Sequence, residues 1–182
     1  MIFSDLEIRA AIEQGRLKFE PEIPKDSDRI GSSSVDLLLD SELLEYPQTP
    51  AAGIKVNPMQ AGRSIRQLIQ QLSSPVTIEE GRTYALEPGR LIIGKTLEFM
   101  RFAPDIAGRI EGRSSLARMG LAVHVTAPTV LAGWAGQLYL EIYNVGPFAI
   151  ELEKSMPIAQ LVLERTGVPP NNPYSGQFHG QT

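Results

Sequence analysis

Residues 112–144 read GRSSLARMGLAVHVTAPTVLAGWAGQLYLEIYN, and the residue types best able to do chemistry crowd into them. Arg113 and Arg118 bracket Ser114 and Ser115, with Gly112 and Gly120 outside them. Arginine presents charge-assisted forks to an anion, and glycines beside small hydroxyl residues let backbone amides approach one. Such a run suits a phosphate chain, and it equally suits a surface turn. Glu141 is the sole carboxylate of the stretch. In a partly enclosed pocket a glutamate serves as a general base, its pKa set by burial and by nearby arginine. The arginine-serine turn and the carboxylate could therefore hold a phosphorylated ligand while protons move at its other end.

Strand periodicity must position Glu141. Across 137–143, Leu138, Leu140 and Ile142 fall on one face and Tyr139, Glu141 and Tyr143 on the other. Glu141 thus turns away from the apolar face, which fits a pocket wall and fits a solvent-facing strand carboxylate as well. Gly133-Trp134-Ala135-Gly136 reads as the tight turn feeding this strand, with Trp134 as a packing anchor. Further strands are expected at 34–39, 76–78, 83–86, 91–96, 107–111, 149–153 and 158–164. Ser4 and Glu7 form a capping-box pair and Gly15 a stop, so 5–14 reads as a helix. A second helix follows from Ile65, Leu68, Ile69 and Leu72 at i, i+3, i+4 and i+7, ended by Ser73-Ser74-Pro75. Many short strands with Gly and Pro punctuation argue for a sandwich or barrel. The last stretch, 167–182, is rich in Pro, Asn, Gly and Gln and reads as a flexible tail or a lid that orders over a ligand.

Composition narrows the chemistry. At 182 residues the chain suits a single domain, 1–182, able to bury a core without disulfides. It has no cysteine, which removes thiolate nucleophiles and Cys-based zinc sites. A formal charge of -4 argues against broad nucleic-acid binding, while a few local arginines can still hold a small phosphorylated ligand. No apolar run is long enough to cross a bilayer and the first residues lack the apolar core of a signal peptide. A soluble, cytoplasmic protein without nucleic-acid or membrane partners is the expectation. His124 has only His179 as a second histidine, so a structural or ligand-contacting role is expected rather than metal ligation. The His-x-Glu and Pro-Cys-x-x-Cys signature of zinc nucleobase deaminases is absent.

GRSSLAR, HVTA, Gly-Trp-x-Gly and LEIYN stand in one order and register, and their conjunction resembles the dCTP deaminase family, relatives of the trimeric dUTPases. SDLEIRAAIEQGRLKFEP, SSSVDLLL, MPIAQLVLE and YSGQFHGQ extend the resemblance more weakly over most of the chain. It implies an all-β fold with a few short helices, a dUTPase-like distorted β-barrel of the jelly-roll or β-clip kind. It implies a homotrimer with sites between subunits and a zinc-independent hydrolysis of dCTP to dUTP and ammonia. That dUTP would feed dUMP and dTTP synthesis, with dTTP as a candidate inhibitor. Mg2+ would be held by the triphosphate and not by protein side chains.

On the same resemblance Glu141 is the catalytic glutamate, helped by Ser114, by the backbone carbonyl of Ala127 and by Arg118. The nucleotide would lie along Arg113, Ser114, Ser115, Leu116, Ala117 and Arg118. It would also touch His124 and Val125, the strand residues Tyr139, Leu140 and Glu141, then Gln160 and, through the closing tail, Tyr174 and Gln181. Asp36 is read as structural.

Two positions depart from the family. Leu131 stands where many members carry aspartate before the Gly-Trp bend, and Gln177 stands where lysine is frequent. Leu131 cannot accept a hydrogen bond from a sugar hydroxyl or orient water, which weighs against phosphate-chain cleavage. The favoured reading is therefore a monofunctional deaminase. A bifunctional deaminase and dUTPase, or a dUTPase releasing pyrophosphate, is the alternative. A non-catalytic nucleotide-binding regulator of the same fold is the third.

Overall fold

Ser4 and Glu7 start the first helix by satisfying each other's neighbours. The Glu7 amide donates to the Ser4 hydroxyl at 3.4 Å, and the Ser4 amide donates to the Glu7 carboxylate at 2.9 Å. The Ser4 amide, together with the Ser4 hydroxyl donating to the same carboxylate at 3.1 Å, holds the Glu7 carboxyl below its ordinary pKa. Gly15, at φ +67°, adopts the left-handed conformation that ends the helix. The computed structural model describes residues 1–49, 53–57, 65–176 and 178–182. Gln177, one of the two departures noted above, lies outside the described residues.

The order is α1 (Asp5–Glu13), β1 (Leu17–Glu20), β2 (Val35–Leu38), β3 (Glu42–Glu45), α2 (Ile65–Leu72), β4 (Ser74–Thr77), β5 (Thr83–Leu86) and β6 (Leu91–Lys95). It continues through β7 (Phe99–Phe102), β8 (Ile106–Gly112), α3 (Ser114–Ala117), β9 (Leu121–Ala122) and β10 (Thr129–Val130). It closes with β11 (Ala135–Gly136), β12 (Tyr139–Asn144), β13 (Ile150–Glu153) and β14 (Pro157–Arg165). The fold is all-β with short helices, as expected. Beyond the segments read from sequence it adds β1, β3, β7 and the two-residue β9, β10 and β11. Ser74 and Pro75 do end α2, and they also open β4, an edge strand paired only with β3, where a proline costs no ladder bond.

Two antiparallel sheets carry the residues of interest. One is ordered β10-β8-β14-β2 and the other β4-β3-β6-β12-β9. Leu138, Leu140 and Ile142 enter the core and Tyr139, Glu141 and Tyr143 stay partly exposed, the alternation read from sequence. Burying each such aliphatic side chain contributes about 1.5–3 kcal/mol, so the register of β12 is pinned by its inward face. Asn144 ends the strand fully buried. Its amide donates to the carbonyls of Leu86 and Phe148, both at 2.8 Å, and its side-chain oxygen accepts from the Gly146 amide at 2.9 Å. Every polar atom of that side chain is thus engaged, as burial requires.

Candidate active site

β12 is hydrogen-bonded to β6, with Glu141 opposite Ile93, and this pairing sets the carboxylate into the wall of a cavity of about 540 Å³. The floor and one side come from the 127–131 segment, including Ala127 and Leu131, and from Trp134 and Leu138. Leu131 is 51% exposed and borders the same space as Glu141. Tyr46 stands near Glu141 as well. Burial first, and the Glu141 charge second, push its phenol above the ordinary range, so it keeps its proton beside the carboxylate.

The Gly133–Gly136 bend owes both glycines to the chain's last residues. Gly133 is at φ +80°, and a Cβ there would lie 2.8 Å from Cβ of Pro173. Gly136 is at φ +146°, with Gln181 oxygen 3.2 Å from the place of a Cβ. Trp134, buried as the anchor, donates from Nε1 to the Gly136 carbonyl at 3.2 Å. Tyr174 stacks on its indole with ring centroids 5.2 Å apart and planes inclined by 27°. The tail is held further by backbone bonds from Tyr174 to Ala132 and from Gly180 to Ala135, and Gln181 makes a two-way pair with the backbone of Gln137. Tyr174, Phe178 and Gln181 thereby border the same cavity as Glu141.

The arginine-serine run forms a separate group. Arg113 caps α3 through its backbone, and its guanidinium is ion-paired with Asp36. Gln160 donates to the other Asp36 oxygen at 3.0 Å and to Ser34 at 3.3 Å, so one carboxylate ties both side chains together. Arg29 braces this cluster from behind. It donates to the Asp36 carbonyl at 2.7 and 3.1 Å and is ion-paired with the fully buried Glu98. Burial raises the Glu98 pKa even against Arg29's pull. Ser114, Ser115, Ala117 and Arg118 are exposed, and among the described residues Arg118 has no ion pair. Gly120 has a reason unconnected with anions: at φ +96°, a Cβ would come 2.4 Å from Gly146 Cα. Gly112 meets nothing closer than 3.7 Å.

The residues singled out in the sequence therefore divide. Glu141, Ala127, Tyr139, Tyr174 and Gln181 border one cavity. Arg113, Ser114, Ser115, Leu116, Ala117, Arg118, His124, Val125 and Gln160 do not border it within one chain. Leu140 points its side chain into the core at 1% exposure, which leaves only its backbone to meet a ligand. His124 keeps a buried Nδ1 without a hydrogen-bond partner among the described residues. What sequence reading missed is the place of α2 at the cavity, not the helix itself. Its Ile65, Arg66, Ile69 and Gln70 form a further wall, and the signal was present in a strongly amphipathic helix none of whose residues is fully buried.

The fold is all-β, with one carboxylate in the wall of a cavity. It is similar to the crystal structure of 2'-deoxycytidine 5'-triphosphate deaminase from Agrobacterium tumefaciens, with a TM-score of 0.69 at 23% identity. That match covers 91% of this chain and 48% of the other, so the chain spans about half the length of that structure's chain. The family profile described as dCTP deaminase-like matches residues 2–166. Among curated relatives, the dCTP deaminase of Rhodospirillum rubrum is 35% identical over 175 residues, covering 96% of this chain and 88% of its own. The dUMP-forming dCTP deaminase of Dictyoglomus thermophilum is 34% identical over 185 residues, covering 100% and 91%. The chain belongs to the dCTP deaminase family.

Proposed function

We propose that this chain hydrolyses dCTP to dUTP and ammonia, with Glu141 as the group that moves the protons. The observation that carries the reading is Glu141 in the wall of a cavity whose volume, about 540 Å³, suits a small-molecule ligand. Water is a weak nucleophile at neutral pH, so a positioned carboxylate must supply base strength and orientation together. Glu141 takes one proton as the water oxygen bonds to cytosine C4. It returns that proton to the ring nitrogen, and the remaining proton of the new C4 hydroxyl then passes to the amine as the C4–N bond breaks, leaving a C4 carbonyl and ammonia. The Ala127 carbonyl and the Ser114 hydroxyl hold the water, and Arg118 lies near the carboxylate.

Ser114 and Arg118 stand outside the cavity of their own chain, so the same reading requires a neighbouring copy to deliver them. A homotrimer with sites between subunits supplies that neighbour. Arg113 to Arg118, His124, Val125 and Gln160 then meet the nucleotide from the partner's side, while Tyr139, the Leu140 backbone, Tyr174 and Gln181 meet it from within. Mg2+ enters with the triphosphate. Among the described residues there is no cluster of three or more His, Cys, Asp or Glu arranged to hold a metal. The chain acts as one domain whose residues 167–182 close as a lid. It works in the cytoplasm, where free nucleoside triphosphates are found, and dTTP is its candidate inhibitor.

The dUMP-forming relatives favour a second reading in which the phosphate chain is cleaved as well. Leu131 weighs against it, because an exposed leucine on the cavity wall can neither activate nor orient a water. Product analysis with dCTP, dUTP and Mg2+ decides between them. Ammonia and dUTP from dCTP alone are expected. Pyrophosphate and dUMP would establish the second reading, and nucleotide binding without any product would establish a regulator.

A further inference from the structure

Helix α2 is amphipathic yet buries none of its residues completely. Its stripe of Ile65, Leu68, Ile69 and Leu72 is left half-covered, and Ile65, Arg66, Ile69 and Gln70 turn toward the cavity that holds Glu141. One helix face therefore offers that space two aliphatic side chains, one guanidinium and one amide. The pairing of apolar surface with a cation matches a ligand that is partly flat and apolar and partly anionic.

Charge sharpens the point. Among the described residues bordering the cavity, Glu141 is the one anion and Arg66 the one cation. Nearby cations are already engaged. Lys95 lies 2.7 Å from Glu42 and 3.9 Å from Asp40, and Arg90 pairs with Glu45 at 3.2 Å while donating to the Tyr46 carbonyl. No ion pair is made to Arg66 among the described residues, and its side chain is exposed. A polyanion entering a cavity with a carboxylate in its wall meets like charge, and an unengaged guanidinium at the same wall offsets it.

We infer that Arg66 is a phosphate-binding residue of the nucleotide site, supplied by α2 of the same chain that supplies Glu141. Ile65 and Ile69 set the helix against the cavity, and Arg66 reaches the phosphate chain from there. This rests on the cavity's being the nucleotide site, as proposed above.

The test is calorimetric binding of dCTP, dCDP and dCMP to wild-type protein, Arg66→Gln and Arg66→Lys, with ammonia release from dCTP measured in parallel. Arg66→Gln is expected to weaken dCTP binding about tenfold or more, the worth of one charge-assisted hydrogen bond. The penalty should shrink from dCTP to dCMP, KM should rise in step with kcat nearly unchanged, and Arg66→Lys should recover part of the affinity. Thermal midpoints should match, since the residue is on an exposed helix face. Equal dCTP affinity for wild type and Arg66→Gln would overturn the inference, as would an equal penalty for all three nucleotides. Wild-type protein that binds dCTP without releasing ammonia would reject the deaminase reading alone, because the binding series still reports on Arg66.

Discussion

Glu141 is placed by its backbone and left with chemistry to do. Its neighbours Leu140 and Ile142 are locked in the core, so the carboxylate has no alternative register to adopt. Changing it to glutamine keeps the shape and the hydrogen-bonding reach and removes the ability to accept a proton. Glu141→Gln is expected to lose about 10²–10⁴-fold in kcat while binding dCTP within a few-fold of wild type. Ammonia release and calorimetric titration on the same preparation check both halves, and near-normal turnover would reject the assignment. Asp36 is legible only in space: as a lone acid on a strand it reads as structural, yet it holds Arg113 and Gln160 in one grip.

At the scale of elements, the tail and α2 share a property. Both border the cavity, and among the described residues neither contributes a completely buried side chain to the core. Segments held by few buried contacts are the ones that open at low cost. The tail's attachment is specific, through the Trp134–Tyr174 stack and the Gln181–Gln137 pair. Deleting residues from Tyr174 onward should therefore raise KM for dCTP by about tenfold or more, with a small change in thermal midpoint. Unchanged kinetics in the truncated protein would reject a closing role. The Gly-Trp-x-Gly bend was readable as a turn, but its glycines answer to Pro173 and Gln181, some forty residues further along, and no local pattern encodes that distance.

For the whole molecule the decisive fact is that the residues expected to act together are divided between a cavity and a separate polar cluster. If the site is completed between copies, two inactive variants should repair each other. Glu141→Gln and Arg118→Ala, each inactive alone, should recover ammonia release when denatured together and refolded as mixed oligomers. A mixture as inactive as its parts, with mixed oligomers confirmed by mass, would place the whole site within one chain.

By itself the sequence determined what is local or periodic: the capping box of α1, the alternation of β12, the stripe of α2 and the all-β class. These follow from contacts between residues two to four apart, which residue type alone specifies. The family was legible too, because order and spacing of GRSSLAR, HVTA and LEIYN survive without coordinates. Only the tertiary structure decided which residues meet. It set α2 against the Glu141 cavity, tied Asp36 to Arg113 and Gln160 across three strands, and laid the tail on Trp134. Those encounters depend on sheet order and loop path, where residues far apart in the chain become neighbours for reasons that no short stretch contains.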